Sequence, residues 1–308
     1  FFFKQKTAYE IRPRDWSSDV CSSDLAATLG VPAAQVRVEF VDVGGAFGAR
    51  TAPYPEYGVL LHAAKVVGKP VKWVSTRSDD FLNDGHGRAM RLTGELAMDK
   101  DGRFLAIRTE WLSESGAYLT QAGALTNTGN GKTMGAGPYR VEAMYGRQRQ
   151  IMTNTAPTEA FRGAGRPEAA YVVERLVEEA AVKLGVDPLE LRRKNVIPRD
   201  AMPFTSATGT VYDSADYVGM IDKVIEASGW KDFPARRAAA ARRGKLRGLG
   251  AAVFVEPAGG GGLPKDQVAV LFAKDGRNSG DASTGDIQLY MAAGASGQGH
   301  ETIFPEMV

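Results

Sequence analysis

Three glycine-rich loops each follow a run suited to an extended strand: GGAFGAR from Gly44, AFRGAGRPE from Ala160 and GASGQGHET from Gly294. Glycine at this density lets the backbone take positive φ and pass close to another chain or a ligand. The second and third loops lead into helical patterns, so their free N–H groups stand where hydrogen-bonding or anionic ligands are received. Strand, loop and helix in that order call for a mixed architecture.

The rest of the chain reads the same way. VRVEFVDV over 36–43 suits a strand, and 57–67 is apolar at helical spacing up to Gly68. VKWVST reads as a strand. MRLTGELAMDKDGRFLAIRTEWL is two alternating runs joined by an Asp-Lys-Asp-Gly turn, a hairpin. Residues 145–153 form another strand pattern, and 168–184 an amphipathic helix stopped by Gly185. DPLELRRKN opens on an Asp cap with Pro in first position. DYVGMIDKVIEASGW is helical by pattern, and the charged stretch 231–248 reads as a link between two halves. GLGAAVFVEPAGGGG then opens a new strand region, with a hairpin-like turn at 274–276 and a strand at IQLYM. The expected fold class is α+β: two elongated α/β subdomains, one over 26–240 and a second that starts at 241 and is truncated at Val308.

Residues 1–25 fit none of these patterns. DWSSDVCSSDL alternates charge sign and pairs its serines without any sustained apolar period, and no apolar stretch resembles a secretory signal. Back-translation gives a reason: Lys4–Ile11 and Asp15–Leu25 are encoded by the two halves of a short-read sequencing-library adapter. Residues 1–25 are therefore expected to be an assembly artefact and disordered. The only cysteine, Cys21, lies inside this segment. What remains offers no disulfide, thiolate nucleophile or cysteine-ligated cluster.

With 38 basic and 36 acidic residues the net charge is +2, which gives no case for nucleic-acid or membrane-surface binding. ARRAAAARRGKLRG reads as a solvated helix and loop. No apolar run reaches membrane-spanning length, so no membrane insertion is expected. The expected location is cytoplasmic, with the periplasm left open because the natural N-terminus is displaced.

Two nucleotide-binding patterns fail. TNTGNGKT has Thr126 where a P-loop needs its first glycine, and GGAFG lacks the Gly-x-Gly-x-x-Gly spacing of a dinucleotide fold. His62 and His86 have no ligand spacing and read as structural, and Tyr118 in SGAYL reads as core.

Taken as a set, the loops point further. VRVEFVDVGGAFGAR, TNTAPTEAFRGAGRPEAAYVVERL, VDPLELRRKN, VEPAGGG and GQGHET, in this order, resemble the molybdenum-binding large subunit of the xanthine dehydrogenase/aldehyde oxidase family over 26–308. The resemblance implies a molybdenum–pyranopterin cofactor, in its plain or cytosine dinucleotide form, with no direct protein ligand to the metal. It implies hydroxylation of a carbon beside nitrogen or oxygen with water as oxygen source. Electrons would leave through iron–sulfur clusters on a small subunit to FAD on a medium subunit, in a dimer of heterotrimers.

The resemblance also implies residue roles. Gly45, Phe47 and Gly48 bring backbone to the cofactor, with Phe47 shaping the pocket. Arg162 and Gly163 lie beside the cofactor, and Gln298, flanked by Gly297 and Gly299 with His300 next to it, binds the pterin. Ala164 stands where purine hydroxylases carry a stacking aromatic, Asn130 where they carry a substrate-orienting arginine, and Thr51 where they carry a glutamate. Xanthine is therefore not the expected substrate. AFRGAGR has no cysteine, unlike the copper-assisted carbon monoxide dehydrogenases. An aldehyde or N-heterocycle remains. The family's glutamine beside the metal falls where the adapter stands, and its glutamate base falls past Val308, so the fragment itself is expected to be inactive. Two other readings stay open: a nucleotide-dependent oxidoreductase, and a non-catalytic cofactor-binding or assembly protein of the same fold.

Overall fold

The computed structural model describes residues 9–11, 25–38, 45, 47–49, 54–256, 268–273, 286–291 and 299–308. The chain divides into two compact units. The first comprises residues 1–86, 159–162 and 257–308, and the second residues 87–158 and 163–256. Helices and strands mix in both, as expected. Residues 231–248 lie inside the second unit, where the segment that follows them packs its apolar residues on the core.

In the first unit, β1 (Tyr9–Ile11) pairs in parallel with β2 (Val36–Val38). The expectation of disorder over 1–25 is therefore corrected at two places. YEI adds a short ladder beside VRV, and Leu25, at the start of α1 (residues 25–29), is buried. Leu25, Ala26 and Val36 form a small core with Tyr57, Leu60, Leu61 and Ala64 of α2 (Pro55–Val67). Pro55 occupies the first turn of α2, and Gly68 ends it in the left-handed region at φ 64°. VKWVST pairs with no strand among the described residues, and Val74 is 71% exposed. Its β-branched residues lack an edge to join. α3 (Arg77–Asn83) starts with a reciprocal capping box between Thr76 and Asp79. β8 (Val268–Ala273) and β9 (Asp286–Met291) pair antiparallel, and α10 (His300–Met307) is the last helix.

The second unit is built on β3 (Met90–Met98), β4 (Phe104–Gly116) and β5 (Ala143–Met152), in the order β3-β4-β5. The β3–β4 hairpin is as read, its turn held by Asp99 Oδ1 accepting from the N–H groups of Asp101 and Arg103. β5 runs parallel to β4. A parallel partner needs a crossover, which α4 (Gln121–Leu125), a π-helical turn (Thr126–Asn130) and α5 (Gly131–Thr133) supply. TNTGNGKT is thus part of a crossover helix. Tyr118, expected in the core, is 49% exposed, because the inside–outside alternation stops where Gly116 turns at φ 77°.

α6 (Arg166–Leu184) lies against β3, where Gly94 lets it approach: a Cβ there would stand 3.0 Å from Val172 Cγ1. α7 (Pro188–Asn195) is capped by Asp187, whose Oδ1 accepts from Leu189 N and Glu190 N. Its last residue, Asn195, accepts from Phe104 N at 2.8 Å and donates to Gly102 O at 3.0 Å, fastening the hairpin turn to the helix. The short hairpin β6 (Phe204–Thr205) and β7 (Val211–Tyr212) precedes α8 (Tyr217–Ser228) and α9 (Phe233–Ala241). Residues 251–256, expected to be a strand, have no ladder. Ala251, Val253 and Val255 still alternate onto the core, while Val253 N donates to Glu174 Oε2 at 3.0 Å.

Three tyrosines of this core hold their protons tightly. Burial raises the Tyr139 hydroxyl well above its usual range, with the adjacent Glu174 charge adding to the effect. Burial pushes Tyr212 up to about 12 and also raises Tyr217. Below pH ~10 this costs nothing, since the phenols are neutral in folded and unfolded chains alike. Above it the unfolded chain ionises first, so stability falls as pH rises. Ultraviolet titration should find these three phenols silent until the chain unfolds. If all ten tyrosines of the sequence titrated together near pH 10 in folded protein, the packing would be wrong.

Candidate functional site

The first two glycine loops meet in the first unit. Arg162 N donates to Phe47 O at 2.8 Å, and the Arg162 guanidinium lies 5.7 Å from the centre of the Phe47 ring. Such a cation–π contact contributes about 0.5–1 kcal/mol at an exposed site. Gly45, Phe47 and Gly48 have φ of 107°, 53° and 97°. Two of these suit glycine, and Phe47 is held there against its preference. A Cβ on Gly48 would lie 3.0 Å from Ala160 O, so only glycine lets the two loops close on each other. Tyr54 Oη donates to Ala49 O at 3.0 Å and fixes the far side of the turn.

The third loop is placed only in part. Gly297 and Gln298, like Thr51, lie outside the described residues. Gly299 turns at φ 78° and precedes α10, and the His300 ring tilts against Phe304 at 4.5 Å. His300 Nδ1 is buried with no hydrogen-bond partner among the described residues.

In the second unit, Gly163, Ala164 and Gly165 follow with φ of 96°, 46° and 92°. Asn130, at the end of the π-helical turn, donates from Nδ2 to Ala164 O at 2.7 Å. Its amide is therefore bonded to main chain. Arg166 reaches Glu256 Oε1 at 3.1 Å and Asn130 Oδ1 at 3.5 Å. The sequence reading passed over Arg166 and Glu256, although both stand inside quoted motifs. Their spacing of 90 residues gave no sign of a pair.

This donor set fits an oxygen-rich organic cofactor. The N–H groups of Gly163, Ala164 and Gly165 meet no acceptor among the described residues. Successive N–H groups in such a turn make a concave receiver for oxygen atoms. Among the described residues no three His, Cys, Asp or Glu side chains gather as metal ligands. No helix among them is long and apolar enough to cross a membrane.

A family model described as the molybdopterin cofactor-binding domain matches residues 8–196. The chain belongs to this family.

Its relatives within the molybdopterin-binding large subunits include the carbon monoxide dehydrogenase large chain of Hydrogenophaga pseudoflava, 32% identical over 91% of this chain. The nicotine 6-hydroxylase large subunit of Paenarthrobacter nicotinovorans is 30% identical over 92%. Among solved structures, quinoline 2-oxidoreductase from Pseudomonas putida 86 matches with a TM-score of 0.79 at 32% identity, over 91% of this chain and 36% of its own. The chain spans 35% of the length of each of the two curated relatives. All three are similar to this chain along nearly its whole length, and the family match over 8–196 takes in the first two loop motifs.

Proposed function

We propose that this molybdopterin-binding chain serves a molybdenum hydroxylase that oxidises a carbon of an N-heterocycle, or an aldehyde, with water as the oxygen source. The observation that carries the reading is the Arg162 N to Phe47 O bond, which joins GGAFG to AFRG. When bound, the molybdenum–pyranopterin supplies the two-electron redox chemistry.

The chain's own residues bind and orient. Phe47, 38% exposed, offers an apolar wall, and Arg162 keeps that ring in place while carrying positive charge toward an anionic cofactor. Gly48 keeps the backbone free of a Cβ at the point of closest approach. Gln298 and His300 are proposed to bind the pterin from the third loop. The nicotine and quinoline relatives favour a heterocyclic substrate. Ala164 and Asn130 are smaller or uncharged where purine hydroxylases stack and orient their substrate, which suits a larger, neutral ring. The missing cysteine in AFRGAGR speaks against copper-assisted carbon monoxide chemistry. Iron–sulfur and FAD subunits in a dimer of heterotrimers, the cytosine dinucleotide form of the cofactor and a cytoplasmic location belong to the same proposal.

The chain purified from a host that makes molybdopterin should carry pterin, read by fluorescence after oxidative release, together with molybdenum by mass spectrometry. Arg162→Met should lower that pterin content about tenfold, the scale of a lost charge-assisted contact of 1.4 kcal/mol or more. Absence of pterin and molybdenum, with thermal stabilisation by NAD or ATP in their place, would overturn the reading.

A further inference from the structure

The turn at Gly163–Gly165 takes three successive positive φ values, and its middle residue is alanine. A Cβ in the left-handed region is unfavourable, so the surroundings must hold Ala164 there. Both ends of the turn are crowded. A Cβ on Gly163 would stand 2.5 Å from Pro167 Cγ, and one on Gly165 would run into Thr126 O.

Side chains grip the turn by its oxygens. Asn130 Nδ2 donates to Ala164 O at 2.7 Å, and Arg166 Nη1 reaches Gly163 O at 3.4 Å. Arg166 is itself braced by Glu256 Oε1 at 3.1 Å and by Asn130 Oδ1 at 3.5 Å. In a trans peptide the C=O and the following N–H point in opposite directions. Fixing the oxygens of Gly163 and Ala164 therefore aims the N–H groups of Ala164 and Gly165 away from the clamp, where they meet no acceptor among the described residues.

We propose that Asn130 and Arg166, braced by Glu256, are positioning residues that clamp this turn by its carbonyls and present its N–H groups to a ligand. The ligand's identity rests on the molybdopterin reading above; the clamp itself does not. Asn130 then acts through the main chain, with both ends of its amide already engaged, and it does not orient substrate.

Amide hydrogen exchange on the cofactor-free 308-residue chain tests this. The reporters are Arg166 N, bonded to Gly163 O at 3.1 Å, and Ala169 N, bonded to Gly165 O at 3.2 Å. Asn130→Leu removes donor and acceptor at similar size, and should speed exchange at both reporters roughly fivefold while β3 is unchanged. In an Ala164→Gly background the same substitution should change exchange less than about twofold, since glycine takes the turn unaided. That compensation is a signature general loosening would not give. Unchanged reporters, an equal rise in β3, or an undiminished effect beside Ala164→Gly would each sink the clamp. Should Asn130→Leu fail to fold, Arg166→Lys, which keeps the charge but loses the fork, must show the same local rise and the same relief. Pterin content, measured in parallel, separates the two ideas: reporters as expected in a chain that never holds pterin would uphold the clamp and overturn the molybdopterin reading.

Discussion

Replacing Arg192 with leucine should lower the unfolding free energy by about 3–5 kcal/mol, the cost of stranding a buried charge. Arg192 is fully buried, its Nε donating to Glu174 Oε2 at 2.8 Å and an Nη group lying 3.0 Å from Glu178 Oε1. Glu174 also accepts from the Tyr139 hydroxyl and from Val253 N. One carboxylate thus ties α6, α7, the Tyr139 loop and the 251–256 segment together. Burial works against the Arg192 charge, yet the carboxylates of Glu174 and Glu178 and the Tyr139 oxygen outweigh it and raise its proton affinity. Without the guanidinium, Glu174 stays buried with two donors and no countercharge. Adding Glu174→Gln should recover part of the loss, because an amide oxygen still accepts from one of the two donors without carrying charge. Glu178→Gln alone, at a 31% exposed partner, should cost about 1 kcal/mol or less. Urea unfolding measures all three variants. A loss under 1 kcal/mol for Arg192→Leu would mean that water reaches the pair.

That network marks the limit of what the sequence displays. Signals confined to one element survive in the structure: the Asp99 turn, the Asp187 cap with Pro188, and the glycine stops at Gly68 and Gly185. Each works through bonds spanning a few residues, so spacing alone reveals it. VKWVST and VFVE failed as strands because a strand needs a neighbour, and alternation along one segment says nothing of a partner. The parallel pairing of β4 with β5 was hidden for the same reason, and so were Glu174 with Arg192 and Arg166 with Glu256. The site lies between these cases. Its glycines were legible as turns, and the order of three motifs pointed to one cofactor. The bond from Arg162 to Phe47 joins residues 115 apart in sequence, which only folding can bring together. Asn130 was legible as a position, while the bond from its amide to Ala164 O, across 34 residues, was not.

Gly165→Ala should destabilise the second unit by about 3 kcal/mol, combining roughly 1–2 kcal/mol for a Cβ in the left-handed region with overpacking against rigid backbone. Gly165 stands at φ 92° as the cap of α6, and the added carbon would collide with Thr126 O and come within 3.4 Å of Asn130 Cβ. A backbone carbonyl in the middle of a crossover cannot swing aside as a long side chain can. Either the start of α6 or the π-helical turn must move, and both adjoin the clamp. Gly185→Ala is the natural comparison. It shares a positive φ, 67°, but has nothing within 4 Å of the added carbon, so it should cost about 1 kcal/mol from the backbone alone. The difference between the two isolates the collision. Since the same movement carries the N–H of Gly165 off its line, pterin content should fall sharply in Gly165→Ala and stay unchanged in Gly185→Ala. Equal destabilisation by the two substitutions would show that the turn yields freely, and a turn that yields freely could not aim its N–H groups at anything.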